Sequence, residues 1–247
     1  MSNEERAARK TKAAGLAFMV GIVLSFVAPF FLPGGFLIEY TDPADYVGTV
    51  AVLADYPNIG HVSSTVSIIG MLLMIGAVIR LYTLSEGEGA LARPILCFGI
   101  ILTVVEWALV ILGHAERHLL LHLLQRGEDT LGPEGMAQFE LLAIGGYADM
   151  VGAFLASLFI LPFASFLLGL GLVMCIKEMN IYKIASYALM LVGVVTFVVV
   201  NAGMHLTDLD LETLLVVNNV TLMVGSVALF IIGFGMYQGR SELSPAD

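Results

Sequence analysis

The sequence predicts an all-α, polytopic membrane protein: six transmembrane helices, both termini cytoplasmic, and a short amphipathic helix on the outer side between spans one and two. Three observations predict it. First, 58% of the 247 residues are hydrophobic and 13% are charged, where a soluble domain carries roughly 25% charged residues. Second, apolar runs of about 20 residues or more recur six times, each long enough for a hydrocarbon core of roughly 30 Å. Third, Lys and Arg segregate. Arg6, Arg9, Lys10, Lys12, Arg80, Arg93, Lys177, Lys183 and Arg240 fall on one side of the predicted spans, and Arg117 and Arg126 on the other. Positive charge gathers on the cytoplasmic side of the cell membrane, which orients the chain.

Residues 1–12, MSNEERAARKTK, read as a polar cytoplasmic tail. They lead into span one, about 13–33, with no small-residue cleavage site, so the segment reads as retained. Residues 34–60 form a long outer connection. Within it Thr41-Asp42-Pro43 is a helix start, a capping side chain followed by proline near the first turn. ADYVGTVAVLADY then forms the short amphipathic helix, stopped by Pro57 and too short to span. Span two covers about 61–83, and residues 84–93 form a cytoplasmic loop. Span three runs from near Pro94 to about 125, roughly 45 Å of helix, so its outer end projects into or beyond the headgroups. Residues 126–133 read as a turn. A helix from near Glu134 merges into span four, about 144–176, with a kink at Pro162. Span five covers about 181–203, an acidic loop follows at 206–212, and span six covers about 213–237. The whole of 13–237 is one transmembrane domain, and 238–247 is a second cytoplasmic tail. Cys97 and Cys175 read as small buried hydrophobes rather than a disulfide framework.

Placed by depth, the polar side chains are asymmetric. Glu106 lies near mid-membrane. His61, His114, His118, His122 and His205 lie toward the outer ends of spans two, three and five. Asn201, Asn218 and Asn219 lie in the outer halves of spans five and six, and Asp149 near the start of span four. Such groups are costly in lipid and turn to the bundle interior or to water. The pattern predicts an outward-open pocket with Glu106 at its floor, His61, His114 and His205 at its mouth, and Asn201, Asn218 and Asn219 in its wall. Asp149 is a further pocket residue, and the amphipathic helix is a lid or plug. Glu106 is a proton acceptor or cation ligand, or else a neutral carboxyl bonded to a neighbouring helix.

His114, His118 and His122 are spaced i, i+4, i+8. Such a pair can hold one metal ion, as on HExxH helices, but here the acid of His114-Ala-Glu-Arg-His118 stands one place late for that motif. Imidazoles from three spans at one depth also suit copper, zinc or haem, which makes His61, His114, His118 and His205 candidate metal ligands. The ordinary alternative is polar histidines satisfied at the headgroup boundary. Five histidines are too few for desaturase-type boxes. No phosphate loop, nucleophile elbow or zinc-finger spacing is present.

The connection from Asp42-Pro43 through Leu53-Ala54-Asp55-Tyr56-Pro57 resembles that of an uncharacterised family of small six-span bacterial and archaeal membrane proteins. The resemblance covers most of the chain. It implies the six-span topology and no activity or site residues.

A net charge of −10 argues against nucleic acid as partner. The partners expected are the lipid bilayer and a larger membrane complex, with this chain as accessory subunit, or a second copy of the chain. The function predicted is binding of a small ligand, metal ion or haem in the outward-facing pocket. The alternatives are a membrane-embedded metal-dependent or acid/base enzyme and a small transporter. Against transport stands the lack of a matched pair of broken helices.

Overall fold

The computed structural model describes residues 3–42, 45–85, 90–130, 133–205 and 211–243. Among them are seven α-helices: α1 (Asn3–Val27), α2 (Tyr46–Asp55), α3 (Pro57–Arg80), α4 (Ala92–Thr130), α5 (Pro133–Cys175), α6 (Ile181–His205) and α7 (Leu211–Gln238). All but α2 are long and apolar enough to cross a membrane. The six-helix, multi-pass architecture follows from that length and composition.

Several boundaries depart from expectation, each for a local reason. Helix α1 begins at Asn3, so most of the predicted polar tail is helical, because Glu, Arg, Lys and Ala are good helix formers. Helix α2 is capped by Asp45, whose Oδ1 accepts from the Gly48 N–H at 2.9 Å, and not by the predicted Asp42. Pro43 lies outside the described residues. Pro57 ends α2 as expected and also opens α3, since proline lacks the N–H that a first helical residue does not use. Helix α4 runs to Thr130, through the first five residues of the turn predicted at 126–133. Helix α5 carries Pro162 within its length, as expected. Residues 86–89 of the predicted loop 84–93 and 206–210 of the predicted loop 206–212 lie outside the described residues. At roughly 58 and 65 Å, α4 and α5 are each about twice the hydrocarbon thickness.

The chain forms two compact units: unit 1 is Met1–Ile22, Leu72–Trp107 and Ser157–Asp247, and unit 2 is Val23–Met71 and Ala108–Ala156. In unit 1, glycines let helix backbones touch. A Cβ on Gly171 would lie 2.6 Å from Leu96 Cα, one on Gly169 2.6 Å from Ser186 O, and one on Gly193 2.5 Å from Pro162 O. Gly15 approaches the α7 backbone at Gly233 in the same way. In lipid, helices associate through such close packing because no hydrophobic drive separates them from acyl chains. Trp107 is buried in this unit, its ring edge-on to Phe18 at 6.3 Å. Asn180 caps α6 by accepting from the Tyr182 and Lys183 N–H groups at 3.0 Å each. Cys97, half-buried, and Cys175, buried, are not joined in a disulfide.

In unit 2, α2 is stitched to α4 and α5 by an apolar cluster. Val50 and Leu53 of α2 pack with Leu120 and Leu121 of α4 and with Ala143, Tyr147 and Met150 of α5. The Tyr46 and Tyr147 rings meet edge to face at 5.0 Å. Burying several such side chains stabilises by about 1.5–3 kcal/mol each, enough to hold a ten-residue helix that would not persist alone. The connection before α2 is also fixed. Gly34, at φ +79°, makes a turn closed by its N–H donating to Ile38 O at 2.9 Å. Glu39 takes φ 42°, and its carboxylate accepts from the Tyr56 hydroxyl at 2.8 Å.

Candidate functional site

Unit 2 brings three of the five histidines together. His61 of α3 and His118 of α4 stack with ring centroids 5.0 Å apart, and their Nδ1 atoms lie 2.7 Å from one another. The His122 ring lies 4.6 Å from His61. At the far side of each ring stands a polar partner: Gln125 Oε1 is 3.4 Å from His61 Nε2, and Thr65 Oγ1 is 3.3 Å from His118 Nε2. Four-residue steps turn the side chain by about 40°. His118 and His122 therefore face α3, while His114, one step earlier, is turned toward α5.

The proton order along this chain follows from its ends. The Thr65 hydroxyl donates to His61 O at 2.9 Å, so its oxygen accepts from His118 Nε2–H. A neutral His118 then has a bare Nδ1, which accepts from His61 Nδ1–H. His61 Nε2 carries a proton for Gln125 Oε1 when His61 is charged. When His61 is neutral, Nε2 is an acceptor, and the Gln125 amide must present its NH2 instead. The two Nδ1 atoms are thus engaged with each other rather than offered to a metal.

Gln125 also lines a cavity of about 280 Å³. Val50, Ala51, Ala54 and Asp55 of α2 form one wall; Leu124 and Gly127 of α4 and Met136, Phe139 and Glu140 of α5 form the rest. The lining is apolar apart from two carboxylates and the amide. Gly127 lets the Phe139 side chain approach closely, since Phe139 Cβ lies 3.0 Å from where its own Cβ would stand.

The remaining predicted residues fall elsewhere. His114 is buried, its ring edge-on to Phe154 at 5.6 Å and its Nδ1 3.4 Å from Arg117 Nη1. Asp149 is on an exposed face of α5. Glu106 is buried, in unit 1. Also in unit 1 are His205 and Asn219, both exposed, and Asn201, whose Nδ2 donates to Phe197 O at 2.8 Å. Asn218 is buried there, and among the described residues its Oδ1 has no hydrogen-bond partner, nor has the buried Thr196 Oγ1. None of the residues predicted for the pocket is among those lining the 280 Å³ cavity. Among the described residues no group of three or more His, Cys, Asp or Glu is arranged to hold a metal ion.

Sequence reasoning missed Asp55, Gln125 and Glu140, and it missed Arg117. The first three sit on helical faces that look ordinary until α2 is folded back on α4 and α5. Arg117 carried a signal: a cation on the side otherwise poor in Lys and Arg, three residues from His114 in an apolar helix.

Comparison with protein-family models, with curated proteins and with solved structures found no match.

Proposed function

We propose that this multi-pass protein binds a small amphiphilic organic cation in the cavity beneath α2, and that binding is coupled to the protonation of the His61–His118 pair. One observation carries the reading: Gln125 both lines the cavity and meets His61 Nε2 at 3.4 Å. Asp55 and Glu140 supply the negative charge that a cationic head requires. Val50, Leu124, Met136 and Phe139 supply the apolar wall that its body requires. The amide end that faces the cavity is selected by His61: a charged His61 holds Oε1 to itself, and a neutral one takes the NH2 and frees the oxygen for the ligand. Both termini are cytoplasmic on this reading, by the nine-to-two division of Lys and Arg. That places α2 and the cavity on the outer side of the cell membrane.

The test uses the purified protein in nanodiscs and a set of alkyl-trimethylammonium ions, with neutral tert-butyl analogues of the same shape. The cations raise the melting temperature and the neutral analogues do not. Ala54→Trp fills the cavity from the exposed face of α2 and abolishes the shift. Equal stabilisation by cation and neutral analogue, or a full shift in the Ala54→Trp protein, refutes the reading. Metal analysis and a visible spectrum of the same sample complete the test. A stoichiometric metal or a Soret band would replace the organic ligand with a metal or haem.

A further inference from the structure

A second feature of unit 2 is independent of that cavity. Arg117 lies inside α4 and is 8% exposed. Its guanidinium offers five N–H donors in a planar fork and stays charged under all ordinary conditions. Among the described residues its hydrogen bonding is limited to Nη1 on His114 Nδ1 at 3.4 Å. Its Cζ lies 6.0 Å over the Phe154 ring, and the other group acting on its charge is the Tyr147 phenol. No carboxylate pairs with it among the described residues. A buried cation without a counter-ion costs several kcal/mol, far more than one distant cation–π contact returns.

We propose that Arg117, with His114 and Tyr147, is the binding site for a phosphate-bearing anion that supplies the missing charge. The position suits this class of ligand. Twenty helical residues counted from Pro94 cross about 30 Å of hydrocarbon and end near His114, so Arg117 falls in the headgroup layer, where phosphates lie. The fork of a guanidinium matches two phosphate oxygens at once. Tyr147, hydrogen-bonded to the Thr49 side chain, brings a phenol to the same group. Asp42 also acts on Tyr147, and its negative charge disfavours a dianion, so a phosphodiester, singly charged, fits better than a phosphate monoester. No residue of the site lines the 280 Å³ cavity, so either proposal can fail without the other.

The source of the phosphate is separated by two arms on the purified protein. In the first, native mass spectrometry counts lipids retained from nanodiscs of mixed phosphatidylglycerol and phosphatidylcholine. In the second, inorganic phosphate is titrated in phosphatidylcholine nanodiscs, with the melting temperature as readout. Wild type is expected to retain phosphatidylglycerol at least about tenfold over phosphatidylcholine, and Arg117→Gln to lose that preference. Arg117→Lys keeps the charge without the fork and retains a preference weakened several-fold. Arg126→Gln, an exposed arginine on the same helix, leaves it unchanged. A preference in the first arm alone assigns a lipid headgroup; stabilisation by phosphate that Arg117→Gln abolishes assigns a soluble phosphate. The proposal is overturned if wild type shows neither effect, or if Arg117→Gln shows them undiminished. Where Arg117→Gln does not fold, an Arg117→Lys protein indistinguishable from wild type overturns it instead.

Discussion

If glycine is what lets α4 and α5 touch in unit 1, then adding one methyl group at Gly171 must force them apart. An alanine Cβ there would lie 2.6 Å from Leu96 Cα, 2.8 Å from Leu96 Cβ and 2.9 Å from Leu96 N. Ordinary contact begins near 3.4 Å, so the helices must separate locally by roughly 0.8 Å, enough to forfeit a quarter to a half of the dispersion attraction across the crossing. Two of the three obstructing atoms are backbone, so no rotamer change relieves them. Overpacking of this kind costs about 1–3 kcal/mol. Alanine's better helix propensity offsets about 0.5–1 kcal/mol of it. Gly152 is the control, with nothing within 4 Å of its would-be Cβ, and Gly225 is the intermediate case, its nearest neighbour being Val192 Cγ1 at 3.5 Å. The assay is reversible denaturation in mixed detergent, followed by emission of Trp107. It is the chain's one tryptophan, buried within the same unit as Gly171. The midpoints should order as Gly171→Ala below wild type, Gly225→Ala close to it and Gly152→Ala at or above it. Leu96→Ala should not rescue Gly171→Ala, because Cα, N and Cβ remain. A Gly171→Ala protein as stable as Gly152→Ala would refute the close crossing.

Two further outcomes are expected around α2. Asp45→Ala removes the side chain that accepts from Gly48 N–H and should weaken α2 by about 0.5–2 kcal/mol, read as faster amide hydrogen exchange over residues 46–55 with α6 and α7 unaffected. The Tyr56 phenol is pushed above its usual range, first by its hydrogen bond to Glu39 and then by that residue's negative charge. Its contribution to stability is therefore complete below the usual phenol pKa near 10 and is lost as pH rises through the raised value. The tyrosinate absorbance difference between wild type and Tyr56→Phe should titrate late, and Glu39→Gln should bring it back toward ordinary pH; an unchanged titration in Glu39→Gln would show that the contact is absent in solution.

The spans were legible because hydropathy alone defines them, and the excess length of the third was legible because its polar residues came too late for a bilayer. Which glycines mattered was not legible. Gly152 and Gly171 both sit in the apolar run of α5, and a single sequence gives no signal of which one meets another backbone. The end of α4 was misplaced for a related reason. Arg126-Gly127-Glu128-Asp129 looks like a turn, but its glycine serves contact with Phe139 while the helix continues to Thr130. The Asp45 cap was missed because Asp42-Pro43 satisfied the same rule three residues earlier.

The histidine stripe shows most clearly where one-dimensional reasoning stops. Counting residues gives depth and sets His61, His114 and His205 at one level, which suggests convergence. Convergence depends on azimuth, and a stripe that drifts about 40° per step changes neighbours along its length. His114 is consequently set against Phe154 and Arg117, while His118 and His122 meet His61. The same rotation gives the two proposals different chemistry within one helix. The face bearing His118 and Gln125 carries polar donors and acceptors, and Gln125 shares its cavity with Asp55 and Glu140, which suits a cation. The face bearing His114 and Arg117 presents a fixed positive charge to aromatic rings, suited to an anion. Neither assignment follows from residue type, since imidazoles stand on both; the neighbours that α3 and α5 supply decide the sign.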